Sequence, residues 1–218
     1  MEILFEDKDI IVTVKKAGIL SQRGESRGEN LEEILSEYLK DKGEEGEIHV
    51  IHRLDKGVGG IMVYAKNSFS ASKLSSQLQR GEIIKEYTAL IHSKPEPPEG
   101  FMEDLLFFDR AKNKSFVVSR ERKGVKKAKL YYETVRTEKT VLGEVSLVRI
   151  RLYTGRTHQI RVQFSSRNMP LVGDKRYGGH DECDIALFSC FLSFRHPATN
   201  EIMTFERNCD FCDLLKQN

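Results

Sequence analysis

The densest grouping of reactive side chains is His49-Val50-Ile51-His52-Arg53-Leu54-Asp55-Lys56-Gly57-Val58-Gly59-Gly60. It sets one carboxylate among imidazole, guanidinium and ammonium groups, with glycines close behind it. An aspartate on such a loop can act as nucleophile or general base. The glycines let the backbone turn sharply and let a ligand approach closely. The competing reading is a turn or salt-bridge residue, the ordinary fate of one acid among 33. A second cluster is Gly155-Arg156-Thr157-His158-Gln159-Ile160-Arg161. His158 has no second histidine at ligand spacing, such as H-E-x-x-H, so it reads as a hydrogen-bonded structural residue near Arg161 rather than a metal ligand. A third is Lys85-Glu86-Tyr87, where the tyrosine taken alone suits a strand core.

Net charge is only +2, but its distribution is uneven. Arg120, Arg122, Lys123, Lys126, Lys127 and Lys129 stand against the single acid Glu121. Such a run can follow a phosphate backbone and release counterions, and it can equally be a solvated loop. Cys209-Asp210-Phe211-Cys212 has C-x-x-C spacing. The other two cysteines, Cys183 and Cys190, are too far apart to complete a four-thiolate zinc site, so no metal is expected. No apolar run reaches the length of a membrane span, and the N-terminus lacks a signal-peptide pattern. A cytoplasmic chain with reduced thiols is the default expectation.

The elements that must position these groups can be read from periodicity. Leu4–Phe5 and Ile10–Val14 suggest a hairpin around Asp7-Lys8-Asp9. Leu31, Ile34, Leu35, Tyr38 and Leu39 recur at helical spacing, with Asn30 as N-cap and Glu33 completing a capping box. Ile61–Ala65 reads as a strand, and a helix from about Ser68 to Arg80 stops at Gly81. Ile83–His92, Ser115–Ser119, Ala128–Val135, Val145–Tyr153, Ile185–Phe194 and Glu201–Phe205 read as further strands, and Thr157–Ser165 as a short helix. Strands outnumber helices, and many of their connections are too short for a crossover helix. The expectation is an α+β single domain over residues 1–218, on a mixed, largely antiparallel β-sheet with flanking helices and loops.

Taken in order, His52-Arg53-Leu54-Asp55 with Gly60, Lys85-Glu86-Tyr87 and Gly155–Arg161 resemble the signature segments of the RluA-type RNA pseudouridine synthases. Phe5-Glu6-Asp7, Lys15-Lys16-Ala17-Gly18, Leu171–Gly178 and His196-Pro197 extend the resemblance from about residue 3 to about residue 206. It implies the pseudouridine synthase fold, an RNA substrate in tRNA or rRNA, and no cofactor, metal or nucleotide. It implies that Asp55 is the essential carboxylate, that Tyr87 lies against the target base, and that Arg161 is the basic partner of the aspartate. Arg53 matches the arginine whose counterpart can fill the space of the extruded base. His52, Arg156, His158, Lys123, Lys126 and Lys127 are further expected substrate contacts, the three lysines on a flexible basic hairpin.

That chemistry suits these residue types. The reaction breaks the N1–C1′ glycosidic bond, turns the uracil, and joins C5 to C1′. An oxocarbenium-like sugar centre needs a nearby carboxylate; a covalent ester and a glycal route both fit. Tyr87 could take the C5 proton or simply stack on the base. A stacked uridine hides its glycosidic carbon, so base flipping is expected.

The chain departs from the family pattern at Val58-Gly59, where relatives carry Thr-Ser, at Lys16 in place of proline, and at Phe188 in place of a common histidine. An RNA-binding or RNA-folding module with reduced catalysis is the alternative those departures raise. A small hydrolase built on Asp55 and His158 is a third reading, which no spacing supports. No N-terminal RNA-binding accessory domain is expected, and a short stem-loop is the substrate shape that loops around a core alone would grip.

Overall fold

The computed structural model describes residues 1–24, 28–209 and 211. Two compact units divide the chain, Met1–Lys85 with Ser189–Asn208, and Glu86–Phe188 with Cys209–Asn218.

The first unit carries β1 (Glu2–Glu6), β2 (Ile10–Lys15), α1 (Leu31–Asp41), β3 (His49–Val50), β4 (Gly59–Ala65) and α2 (Ser68–Gln79). The second holds nearly all of β5 (Ile84–His92), then β6 (Glu99–Asp109), β7 (Lys114–Val118), β8 (Val125–Thr140), β9 (Gly143–Leu152) and α3 (Gln159–Ser165). Most of β10 (Leu187–Arg195) and all of β11 (Ile202–Glu206) return to the first.

In the first unit the strands run β1-β2-β4-β10, with β3 on β4 and β11 on β10. Pairs β1–β2, β2–β4, β3–β4 and β10–β11 are antiparallel. Ile10, Val12, Ile61, Val63, Leu192 and Phe194 interdigitate with Leu74 of α2 in one apolar cluster. Both helices start as their sequences dictate. Asn30 Oδ1 accepts from the Glu33 amide, and its Nδ2 donates to the Glu33 carboxylate at 2.7 Å. Asn67 caps α2 through the Ser70 amide, and Gly81 follows its end at φ +72°.

In the second unit the order is β5-β9-β8-β6-β7. Pairs β6–β7, β6–β8 and β8–β9 are antiparallel. Helix α3 packs its Phe164 ring edge-on to Tyr132 of β8, 5.5 Å between centroids. The α+β expectation therefore holds. Strand β6 goes beyond the sequence expectations. Its Leu105-Leu106-Phe107-Phe108 run has no period of two, yet Met102 and Leu106 are buried while Phe101 and Glu103 face outward.

The basic run differs from its expected form. Only residues 120–124 turn between β7 and β8. Lys126, Lys127 and Lys129 lie on β8, opposite Leu106, Leu105 and Glu103 of β6. Backbone pairing thus fixes the stems of these lysines, so they are rooted on a strand rather than on a flexible hairpin.

Candidate active site

Asp55 lies on the loop between β3 and β4, part-exposed between the buried Leu54 and Val58. Hydrogen bonds from several elements hold that loop. Ser21 Oγ donates to the Leu54 carbonyl at 2.8 Å and accepts from the Leu54 amide at 3.0 Å. Lys15 is fully buried, and its Nζ donates to the carbonyls of Lys16, Ile19 and Lys56 at 3.1, 2.6 and 3.2 Å. The Asp55 carbonyl closes a turn by accepting from the Val58 amide at 3.0 Å. His52 Nε2 accepts from the Val63 amide at 3.3 Å. Burial pushes the Lys15 ammonium down to about 8, and the Asp55 charge opposes that fall.

Val58 is packed inside, where a threonine hydroxyl would need a partner. Gly60 takes φ +131°, and a Cβ there would lie 2.5 Å from the Ser189 backbone nitrogen and oxygen. Only glycine fits that contact.

His52 is buried on this loop. It is 7% exposed, and burial together with the charge of Lys85 pushes its imidazole down to about 3. Because Nε2 accepts, Nδ1 carries the proton of the neutral ring. It ties the loop to β4 and presents almost no surface to a substrate. Arg53 beside it is exposed.

In the second unit Arg161 projects from α3 into a fixed fork. Its Nε and Nη2 each donate to an oxygen of Asp174 at 2.7 Å, and the guanidinium carbon lies 5.1 Å from the centroid of the Tyr177 ring. The side chains are 13% and 0% exposed, so the bidentate pair is shielded from water. The Leu171–Gly178 block wraps around this carboxylate, with Asp174 N–H donating to Leu171 and its carbonyl accepting from Tyr177 and Gly179.

His158 precedes α3 at φ +54°, and its Nδ1 lies 3.0 Å from the Tyr177 hydroxyl. That tyrosine also accepts from the Ser115 amide at 2.7 Å. His158 thus meets the tyrosine whose ring lies beside the Arg161 guanidinium. Arg156 is part-exposed, and its Nε is spent on the Lys127 carbonyl at 2.9 Å. Lys123, Lys126 and Lys127 are exposed. Tyr87 sits on β5, 6% exposed, next to Glu86, which pairs with Arg149 at 2.7 Å.

In the first unit Asp55 is part-exposed on a braced loop, and in the second Arg161 is locked by a buried acid. The comparisons with known proteins decide the class. Residues 9–166 match the family model for RNA pseudouridylate synthase.

The chain belongs to the RNA pseudouridylate synthase family. An uncharacterised RNA pseudouridine synthase of Aquifex aeolicus is 32% identical, covering 94% of this chain and 68% of that one. The dual-specificity RNA pseudouridine synthase RluA of Vibrio vulnificus is 30% identical over 96% of this chain and 84% of its own. Human RNA pseudouridylate synthase domain containing 1 shares the fold, with TM-score 0.81 at 20% identity over 98% of this chain and 85% of the human one. As a member of the pseudouridylate synthases, the chain is an isomerase that converts uridine to pseudouridine in RNA.

Sequence alone gives Ser21, Lys15 and Asp174 no individual role. Asp174 lay within a motif block, but nothing in its neighbours says which cation it holds. Asp7, Asp9 and His196 are the one group among the described residues whose ligand atoms lie within 4.8 Å of one another. His196 Nδ1 accepts from the Ala198 and Thr199 amides at 3.3 and 3.2 Å, so Nε2 carries the proton and donates to Asp7 at 3.0 Å. No ring lone pair is left for a cation. Cys212 of the C-x-x-C pair lies outside the described residues. No helix among the described residues is long and apolar enough to cross a membrane.

Proposed function

We propose that Asp55 is the carboxylate that engages the ribose of one turned-out uridine, with Arg161 as its basic partner and Tyr87 against the base. The observation that carries this reading is the braced loop. It fixes the backbone before and after Asp55 while leaving the residue itself part-exposed. A nucleophile or base needs that combination of fixed position and access. The Asp174 fork gives Arg161 one orientation, which suits a group that must hold a carboxylate through bond cleavage. Arg53 is the exposed side chain placed to fill the gap that a flipped base leaves.

Lys123, Lys126, Lys127 and Arg156 supply phosphate contacts, with the strand-borne lysines giving them a fixed spacing. The substrate is a uridine in a short stem-loop of tRNA or rRNA, modified in the cytoplasm without a cofactor. The test is tritium release from RNA carrying 5-tritiated uridine. Release by wild type and none by Asp55→Ala, with RNA binding equal in both, supports the reading. Equal binding with no release by either supports the RNA-folding alternative. Activity confined to assembled ribosomal subunits would count against the stem-loop.

A further inference from the structure

We infer that Ser21 is a positioning residue for Asp55. This rests on the reading of Asp55 as the reacting carboxylate. Ser21 is 4% exposed and lies 33 residues before Leu54, on a segment with no chemistry of its own. Its single hydroxyl grips Leu54 twice, as donor to the carbonyl at 2.8 Å and acceptor from the amide at 3.0 Å. The carbonyl belongs to the peptide that bears the Asp55 nitrogen. Any drift of that peptide therefore moves the carboxylate directly.

Ser21 is itself anchored. Its carbonyl accepts from the Tyr64 hydroxyl at 2.8 Å, and Tyr64 is fully buried on β4. The chain of contacts runs from a rigid central strand, through Ser21, to the peptide before Asp55. On the far side of Asp55, Lys15 holds the Lys56 carbonyl at 3.2 Å. The loop is thus gripped before and after its functional residue, by side chains from outside it. Removing the Ser21 hydroxyl leaves both Leu54 backbone groups buried without that partner, and the peptide must shift to satisfy them. Small displacements of a reacting group carry large rate penalties while binding by remote contacts persists.

The experiment compares Ser21→Ala, Ser21→Thr, Tyr64→Phe and Asp55→Asn by steady-state tritium release at a temperature well below each variant's melting point. Ser21→Ala is expected to lower kcat about tenfold with KM for RNA unchanged, about what a sub-ångström displacement costs. Ser21→Thr, which keeps the hydroxyl, recovers most of that loss. Tyr64→Phe gives a smaller fall in kcat and serves if Ser21→Ala does not fold. A wild-type kcat in Ser21→Ala, or in Tyr64→Phe where Ser21→Ala is unfolded, overturns the inference when Asp55→Asn is inactive. Asp55→Asn turning over at the wild-type rate would instead remove the reading of Asp55 on which the inference stands.

Discussion

Replacing Asp174 by asparagine should damage both the stability and the rate of this enzyme, and the structure sets the scale. Both oxygens of Asp174 are committed to Arg161, at 2.7 Å each, and its side chain has no exposure. Asparagine keeps the shape but offers one acceptor. Its amide N–H groups would face a guanidinium that only donates, so one fork bond becomes a donor–donor contact. Breaking a buried ion pair by removing one partner typically costs about 3–5 kcal/mol, because the surviving charge stays buried. Arg161 keeps 13% exposure and can recover some hydration, which places the expected loss near the lower end, about 3 kcal/mol. For a chain of this length each kcal/mol shifts the midpoint by about 2–4 °C, so Tm should fall by about 6–12 °C. Thermal unfolding followed by circular dichroism reads the first effect. Tritium release below the lowered Tm reads the second, where kcat should fall at least about tenfold because Arg161 has lost its fixed orientation. A Tm within about 2 °C of wild type together with an unchanged kcat would refute the argument that Asp174 holds Arg161.

Other outcomes follow from the same structure. Gly60→Ala places a Cβ 2.5 Å from the Ser189 backbone at φ +131°, and strain plus overpacking should destabilise it by about 2–5 kcal/mol in urea titrations; a cost under about 0.5 kcal/mol would contradict the contact. His52 is held near 3 when folded, against 6.5 for the ordinary ring. The unfolded chain therefore binds the extra proton first, and stability should be lost as pH falls from about 6.5 toward 3, at up to about 1.4 kcal/mol per pH unit from this group. Urea unfolding of His52→Gln should show a shallower acid loss than wild type, and identical slopes would deny the burial argument. Lys126→Gln with Lys127→Gln should reduce the slope of log affinity against log salt by about 1.4–1.8 if both contact phosphates, while kcat at saturating RNA is kept. An unchanged slope would leave both lysines as solvated strand residues.

What could be read from sequence was local, and what could not was the pairing of distant groups. Asn30 and Glu33 announced the start of α1 because capping chemistry is confined to four residues. Gly81 marked the end of α2 for the same reason. Strand β6 was not legible because Leu105–Phe108 has neither a two-residue nor a helical period, and its neighbours β7 and β8 decide which of those residues are covered. The basic run was visible as charge, but its division at Val125 follows from pairing with β6. Lys15 ends an apolar strand, and nothing local says where its charge goes. Only the fold shows its ammonium among three carbonyls. Ser21 and Asp174 have short polar side chains that suit any turn, and their partners lie 33 and 13 residues away. His52 and Arg53 are neighbours in one motif, and nothing in the sequence separates their environments. Alternation along the loop puts one inside and the other out.

The role of Asp55 is tested most directly by one substitution. Asp55→Asn keeps the side-chain volume and removes the carboxylate charge. Pseudouridine formed in a uridine-containing stem-loop transcript should fall below detection by mass spectrometry, with RNA affinity and Tm close to wild type. Pseudouridine accumulating at the wild-type rate in that variant would contradict the account.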